Sequence, residues 1–235
     1  EAPADKVAGT VSVIQNGFKP VFADINLRTL CMDDKMIMSK LTNETRAVFL
    51  THVQGFNGLT NHLLETLNVK NIPLIEDVCE SHGATYNNKK LGSFGLISNF
   101  SFYYAHHMTT IEGGMVCTNN EEIYQMLRML RSHGMVREAS SEILKNKYSS
   151  NHPDLNPDFI FAFPAYNVRN TEIGAVLGRN QLKRLDENNQ KRTNNLLIFL
   201  DNLDEKRYFT DFQLEGSSNY AFPLVLKKPD VNFRD

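Results

Sequence analysis

Runs with the period of a helix alternate with short apolar runs rich in β-branched residues, and this rhythm limits the possible fold more than any other feature of the chain. Residues 6–15 carry helical spacing and stop at Asn16-Gly17, a pair suited to the left-handed end of a helix. The apolar stretch Pro20-Val21-Phe22-Ala23-Asp24 then reads as a strand, and 32–41 as a short helix. Arg46-Ala47-Val48-Phe49-Leu50-Thr51 predicts a buried strand, 60–67 a helix, and Ile72-Pro73-Leu74-Ile75-Glu76 another strand. Short strands of this kind between helices predict an α/β fold, a largely parallel sheet with helices on both faces.

The rhythm then changes. Tyr86-Asn87-Asn88-Lys89-Lys90 has the composition of a hairpin turn, and strand candidates follow at 98–103 and 114–118, so the sheet is expected to be mixed. Residues 121–132 read as an amphipathic helix with Ile123, Met126, Leu127 and Leu130 on its apolar face and Gly134 as its stop. The polar stretch 137–157 reads as a long loop, and 171–201 as helix with one break. Tyr220-Ala221-Phe222-Pro223-Leu224-Val225-Leu226 opens a further unit, giving an expected large domain over 1–185 and a linking helix with the start of a small domain over 186–235.

Composition narrows the function classes. With 41% hydrophobic residues the chain can bury a real core, and 25 basic against 27 acidic residues provide no general attraction to nucleic acid or an anionic membrane. Cys31, Cys79 and Cys117 are odd in number and never spaced as Cys-x-x-Cys, which argues against a disulfide framework or zinc ribbon and fits a cytoplasmic protein. No run approaches the length of a membrane span. An opening at Glu1-Ala2-Pro3 and an end at Asp235 lead us to expect a fragment.

The chemistry starts at Glu76-Asp77, just past a strand, where open α/β sheets place ligand-binding residues. A carboxylate there can hydrogen-bond a protonated ring nitrogen; alone, it reads more simply as a helix cap or a solvated loop acid. Its company decides. Ile75-Glu76-Asp77-Val78-Cys79-Glu80-Ser81-His82-Gly83-Ala84 is followed by Leu91-Gly92-Ser93-Phe94-Gly95, by the segment from Ser101 to Gly114, by Leu130-Arg131-Ser132-His133-Gly134, and by Tyr166-Asn167-Val168-Arg169. In that order these motifs resemble the sugar aminotransferases of the DegT/DnrJ/EryC1/StrS family, of fold type I, which use pyridoxal phosphate.

Where an aminotransferase of that family carries its lysine, this chain has His106, within His106-His107-Met108-Thr109-Thr110-Ile111-Glu112-Gly113-Gly114. That exchange is similar to the branch that removes the C3 hydroxyl of a nucleotide-linked 4-keto-6-deoxy sugar, GDP-4-keto-6-deoxy-mannose above all. Imidazole has no primary amine to tether the cofactor, but it moves protons near neutral pH. The resemblance implies His106 as the catalytic base and acid, working on pyridoxal and pyridoxamine phosphate with L-glutamate as amino donor. It further implies Asp77 at the pyridine nitrogen, Glu80 near the ring hydroxyl, Ser101 at the phosphate, and Asn167 reaching the phosphate across a homodimer interface. His133, Arg137 and Arg169 match positions that line the substrate or glutamate pocket, where guanidinium groups suit carboxylates and phosphates.

Each residue also has a plainer reading: Ser101 as a strand residue, Asn167 as a turn residue, Arg169 as a surface ion pair, and His133 as a cation at a helix end. A metal site at His106, His107 and Glu112 does not match the helical zinc signatures, so no metal is expected. Two other functions stay open: an inert homologue that binds or regulates through the same pocket, and an aminotransferase served by Lys89 or Lys90.

Overall fold

The computed structural model describes residues 7–228; Lys6, expected to open the first helix, and both chain ends lie outside the described residues. In chain order the elements are α1 (Val7–Gln15), α2 (Asp34–Lys40), β1 (Val48–Thr51), α3 (Asn61–Val69), β2 (Leu74–Asp77), β3 (Thr85–Tyr86), β4 (Lys89–Lys90), β5 (Ile97–Ser101), β6 (Gly114–Cys117), α4 (Glu121–Leu130), α5 (Glu142–Asn151), α6 (Glu172–Leu182) and α7 (Leu185–Asp201). Helices start where short polar side chains cap them. The Asp33 carboxylate accepts from the Lys35 and Met36 N–H groups, and the Thr60 hydroxyl accepts from Leu63 N–H at 3.0 Å.

Four strands make one sheet in the order β1-β2-β5-β6. β1, β2 and β5 run parallel, with Leu50 opposite Glu76 and Glu76 opposite Ser98, and β6 returns antiparallel with Gly114 opposite Ser101. The mixed sheet is therefore the expected one. Along β1 and β2, side chains alternate between buried and half-buried. Val48, Leu50 and Leu74 enter a core with Ile37, Leu59, Leu63, Leu67 and Val78. Each such side chain contributes about 1.5–3 kcal/mol on burial. β3 and β4 form a separate hairpin whose turn residues Asn87 and Asn88 have φ of 48° and 61°, the left-handed pair a two-residue turn requires.

A second core joins distant parts of the chain: Leu196 and Leu200 of α7 and Phe212 pack with Cys31, Val53 and Phe56. The segment after α7 is thereby seated against the loop leaving β1.

Three expectations are corrected. Pro20-Val21-Phe22-Ala23-Asp24 is not a strand: Val21 and Phe22 are 62% and 57% exposed, and no strand among the described residues lies beside the run to take its backbone hydrogen bonds. The stretch 137–157 is not a loop, because Ser141 caps α5 through Leu144 N–H and short 3-10 turns flank it at Val136–Glu138 and Pro157–Phe159. α5 fully buries no residue, and only Leu144 and Tyr148, one turn apart, pack against a core, an apolar stripe too short to betray the helix in sequence. α4 forms as expected, but the residues it buries are Gln125 and Met129, and Met126 is exposed. Gly134 does act as a stop: its φ is +77°, and a Cβ there would overlap the Phe163 carbonyl.

Candidate active site

The carboxyl ends of β1, β2 and β5 lie side by side, with Thr51 opposite Asp77 and Asp77 opposite Asn99. This is the edge where open α/β sheets hold ligands. Asp77 ends β2, and its Oδ1 accepts from Cys79 N–H at 3.1 Å and from Asn99 Nδ2 at 2.9 Å. Its Oδ2 is not engaged in these bonds and suits a protonated ring nitrogen. Ser101 ends β5; its Oγ accepts from Tyr103 N–H at 3.3 Å, which leaves the hydroxyl proton to donate to an anion.

Because side chains alternate along a strand, Glu76 points away from Asp77 into the protein. It is fully buried. Its carboxylate accepts from the backbone N–H groups of Gly92 at 2.8 Å, Phe94 at 2.8 Å and Gly95 at 2.6 Å, and lies 3.2 Å from His52 Nε2. Gly58 N–H donates to His52 Nδ1 at 3.2 Å, so Nε2 carries the proton that faces Glu76. Burial acts to raise the Glu76 carboxyl, but the His52 hydrogen bond and the Gly92 and Gly95 N–H groups outweigh it and hold the group below its usual range.

Glu80, four residues further along, does for Gln54 what Glu76 does for His52. Nearly buried, it accepts from Gln54 N–H at 2.7 Å, and Gln54 itself is left-handed with φ 51°. These two acids therefore brace the loop after β1, Glu76 through His52 and Glu80 through Gln54.

His106 sits beside this edge. Its Nδ1 is 3.3 Å from the Ser101 carbonyl, and its ring meets Tyr103 at 5.7 Å, Tyr220 at 5.5 Å and His82 at 6.4 Å between centroids, all edge-on. His82 and His107 are buried behind it. Burial, and after it the neighbouring His106, push His82 down to about 4, with the Ser101 backbone pulling the other way. Burial likewise pushes His107 down to about 3 against the pull of the Ser218 carbonyl, which its Nε2 meets at 3.1 Å.

The structure thus gathers Asp77, Glu80, Ser101 and His106 at one edge. Of the remaining expected residues, His133, Asn167 and Arg169 form a second group. His133 N–H donates to the Tyr166 carbonyl at 2.6 Å, Ser132 bridges Asn167, and Arg169 Nε donates to Asn167 Oδ1 at 3.3 Å. His133, Asn167, Arg137 and Arg169 are exposed; the Arg137 guanidinium lies over the Phe159 ring at 5.4 Å. Asn170 ties this group to the first, donating to the carbonyl of Gly114, which pairs with Ser101. Lys90 Nζ donates to the Gly83 carbonyl and lies 3.5 Å from Asp186, and both lysines of β4 are exposed. Among the described residues, no group of three histidine, cysteine or acidic side chains is placed to hold a metal ion.

Sequence reasoning missed His52, His82 and Tyr220. His82 stands inside the motif that follows Asp77, but its burial depends on Phe100 and Phe102, which contact its ring at 5.8 and 5.7 Å from the next strand and its exit. No local signal marks Tyr220, whose neighbour Ser218 is 111 residues from its partner His107.

Comparison with known proteins matches this geometry to a family. The profile of the DegT/DnrJ/EryC1/StrS aminotransferase family covers residues 3–233. A GDP-4-keto-6-deoxy-D-mannose 3-dehydratase of Escherichia coli O55:H7 is 36% identical over 217 residues, 91% of this chain and 55% of that protein. A UDP-4-amino-4,6-dideoxy-N-acetyl-beta-L-altrosamine transaminase of Campylobacter jejuni is 31% identical over 83% of this chain and 49% of its own length. The chain spans about half the length of the curated relatives it matches. Among solved structures, a GDP-4-keto-6-deoxymannose 3-dehydratase with a histidine replaced by asparagine and GDP-perosamine bound has a TM-score of 0.84 at 34% identity, covering 94% of this chain and 58% of that one. The E. coli enzyme with bound hydrated PLP gives 0.79 at 33% identity, covering 94% and 57%. The fold is that of the fold type I, PLP-dependent aminotransferases, and the chain belongs to the DegT/DnrJ/EryC1/StrS aminotransferase family.

Proposed function

We propose that the protein from which this chain comes removes the C3 hydroxyl of a nucleotide-linked 4-keto-6-deoxy sugar, GDP-4-keto-6-deoxy-mannose in first place. Pyridoxal and pyridoxamine phosphate would be its cofactor and L-glutamate its amino donor. The observation that carries this reading is His106, an imidazole lying against Ser101 at the strand edge that ends in Asp77, with Lys90 turned to Gly83 and Asp186.

The residues present fit the cofactor. Asp77 Oδ2 is available to a protonated pyridine nitrogen, and the Ser101 hydroxyl to a phosphate oxygen. Glu80, braced by Gln54, stands on the turn that follows Asp77, where it would face the ring hydroxyl. When bound, the cofactor supplies an amine for the C4 ketone and a ring that accepts the electron pair released beside it. His106 Nδ1–H donates to the Ser101 carbonyl, which makes Nε2 the atom that takes and returns the proton. Arg137, Arg169 and His133 offer exposed cationic and hydrogen-bonding groups to glutamate or the nucleotide phosphates. Asn167 would serve the phosphate of a partner subunit in a cytoplasmic homodimer, and 186–235 would lead into a small domain.

The relatives include transaminases, so the decisive test separates the two outcomes. Full-length protein is incubated with pyridoxal phosphate, glutamate and a panel of nucleotide 4-keto-6-deoxy sugars. Release of ammonia together with a sugar lacking one oxygen is expected. An amino sugar as the product would refute the dehydratase reading, and no spectral change of the cofactor would favour an inert homologue. His106→Lys is expected to abolish dehydration and to admit a slow aminotransferase half-reaction.

A further inference from the structure

Tyr220 reaches the site from far along the chain. The strap that carries it is tied down on both sides of the ring: Ser218 N–H donates to the Gly55 carbonyl and Tyr220 N–H to the Gln54 carbonyl, both at 2.9 Å. From the other side, Arg192 donates to the Tyr220 carbonyl at 3.0 Å, and Asn219 Nδ2 donates to the Thr193 hydroxyl at 2.7 Å. The strap also accepts at Ser218 from His107. These bonds fix a backbone whose one large side chain lies edge-on to His106 at 5.5 Å and tilted against His107 at 5.7 Å.

We propose that Tyr220 is a positioning residue for His106: with Tyr103 it forms a two-sided aromatic brace that holds the imidazole plane, and the loop Gln54-Gly55 sets the brace through the strap. This rests on the functional reading above for its catalytic consequence, and on the packing alone for its structural one. An imidazole anchored through Nδ1 to a carbonyl can still turn about that bond. Edge contacts at 5.7 and 5.5 Å from Tyr103 and Tyr220 remove this freedom. Gly55 belongs to the device, since its φ is +93° and a Cβ there would overlap the Asn219 nitrogen. Glu80 reaches the same brace at one remove, through the Gln54 N–H.

The test uses the full-length protein with its histidine rings labelled with carbon-13, the His106 signal being assigned by its loss in His106→Asn. Tyr220→Leu is expected to displace that signal and to lower kcat roughly tenfold to a hundredfold with KM for the nucleotide sugar retained. Tyr220→Phe, which keeps the ring, is expected to restore both. Gly55→Ala moves the strap without altering Tyr220 and is expected to displace the His106 signal too, which decides the matter if Tyr220→Leu fails to fold. An unmoved His106 signal in the folded variants, or a Tyr220→Phe protein as impaired as Tyr220→Leu, overturns the proposal. If the wild type makes no deoxygenated sugar while the His106 signal still moves, the functional reading falls and the positioning role stands.

Discussion

The rings of His82 and His107 lie nearly parallel, with centroids 5.8 Å apart and planes 29° apart, in the layer behind His106. Two buried imidazoles in contact cannot both accept a proton cheaply, and burial has pushed them to about 4 and about 3. In the unfolded chain each returns to its ordinary value of 6.5. Below that pH the unfolded state binds protons that the folded state refuses, so stability is full above the unfolded value and falls as the pH drops through the folded ones. Glu76, held below its ordinary carboxyl range, adds a loss of the same sign at lower pH. The urea midpoint is therefore expected to fall from about pH 7 to about pH 5, and to fall much less in a His82→Leu, His107→Leu double variant. Equal slopes in the two proteins would contradict this.

Glu76→Gln is expected to cost on the order of 3 kcal/mol in urea unfolding. One carboxylate oxygen takes the Phe94 and Gly95 N–H groups, and the other takes Gly92 N–H and the His52 Nε2 proton. An amide must set its own NH2 against one of these donor pairs. Because the same acid braces the loops 52–58 and 92–95, the variant should also raise protease sensitivity there before global unfolding, which limited proteolysis would detect.

Much of the fold was legible because it was written in local patterns. The strand runs around Val48 and Leu74 announce themselves by apolar residues, and the hairpin by Asn87-Asn88. What failed was decided by neighbours distant in sequence. Pro20-Val21-Phe22-Ala23-Asp24 has strand composition without a strand beside it among the described residues, and α4 turns Gln125 inward because the backbone of the next segment needs it.

Gln125 gives that last failure a measurable form. Only 5% exposed, its Oε1 accepts from the N–H groups of Ser140 and Ser141, and its Nε2 donates to the Ser140 hydroxyl at 2.7 Å. Gln125→Leu satisfies the apolar pattern of the helix but strands the Ser140 N–H at the start of α5. A loss of about 1–3 kcal/mol is expected in chemical denaturation, with exchange of the α5 amides quickened. A Gln125→Leu protein more stable than the wild type would show that pattern outweighs pairing.

Within the site, the residues read from motifs and the residues found only by folding divide along the same line. Asp77, Glu80, Ser101 and His106 belong to short runs at strand ends, and the resemblance of those runs to the family's motifs was what named them together as candidates. His52 and Tyr220 support them from other elements, and His82, though it stands in the same motif as Asp77, does so through its packing on Phe100 and Phe102; such support has no local spelling.

Asp77→Asn separates cofactor tuning from architecture. The oxygen that accepts from Cys79 N–H and Asn99 Nδ2 survives in asparagine, so the melting temperature is expected to stay within a few degrees of the wild type. What is lost is the negative charge on the side facing the proposed pyridine nitrogen, and a neutral amide no longer favours its protonated form. In the full-length protein the sugar reaction should then slow by roughly 100-fold or more, and the bound cofactor should show the absorption of an unprotonated ring. Because the fold is spared, a slow variant with an unchanged spectrum would place Asp77 away from that nitrogen, and unchanged turnover would remove it from the site.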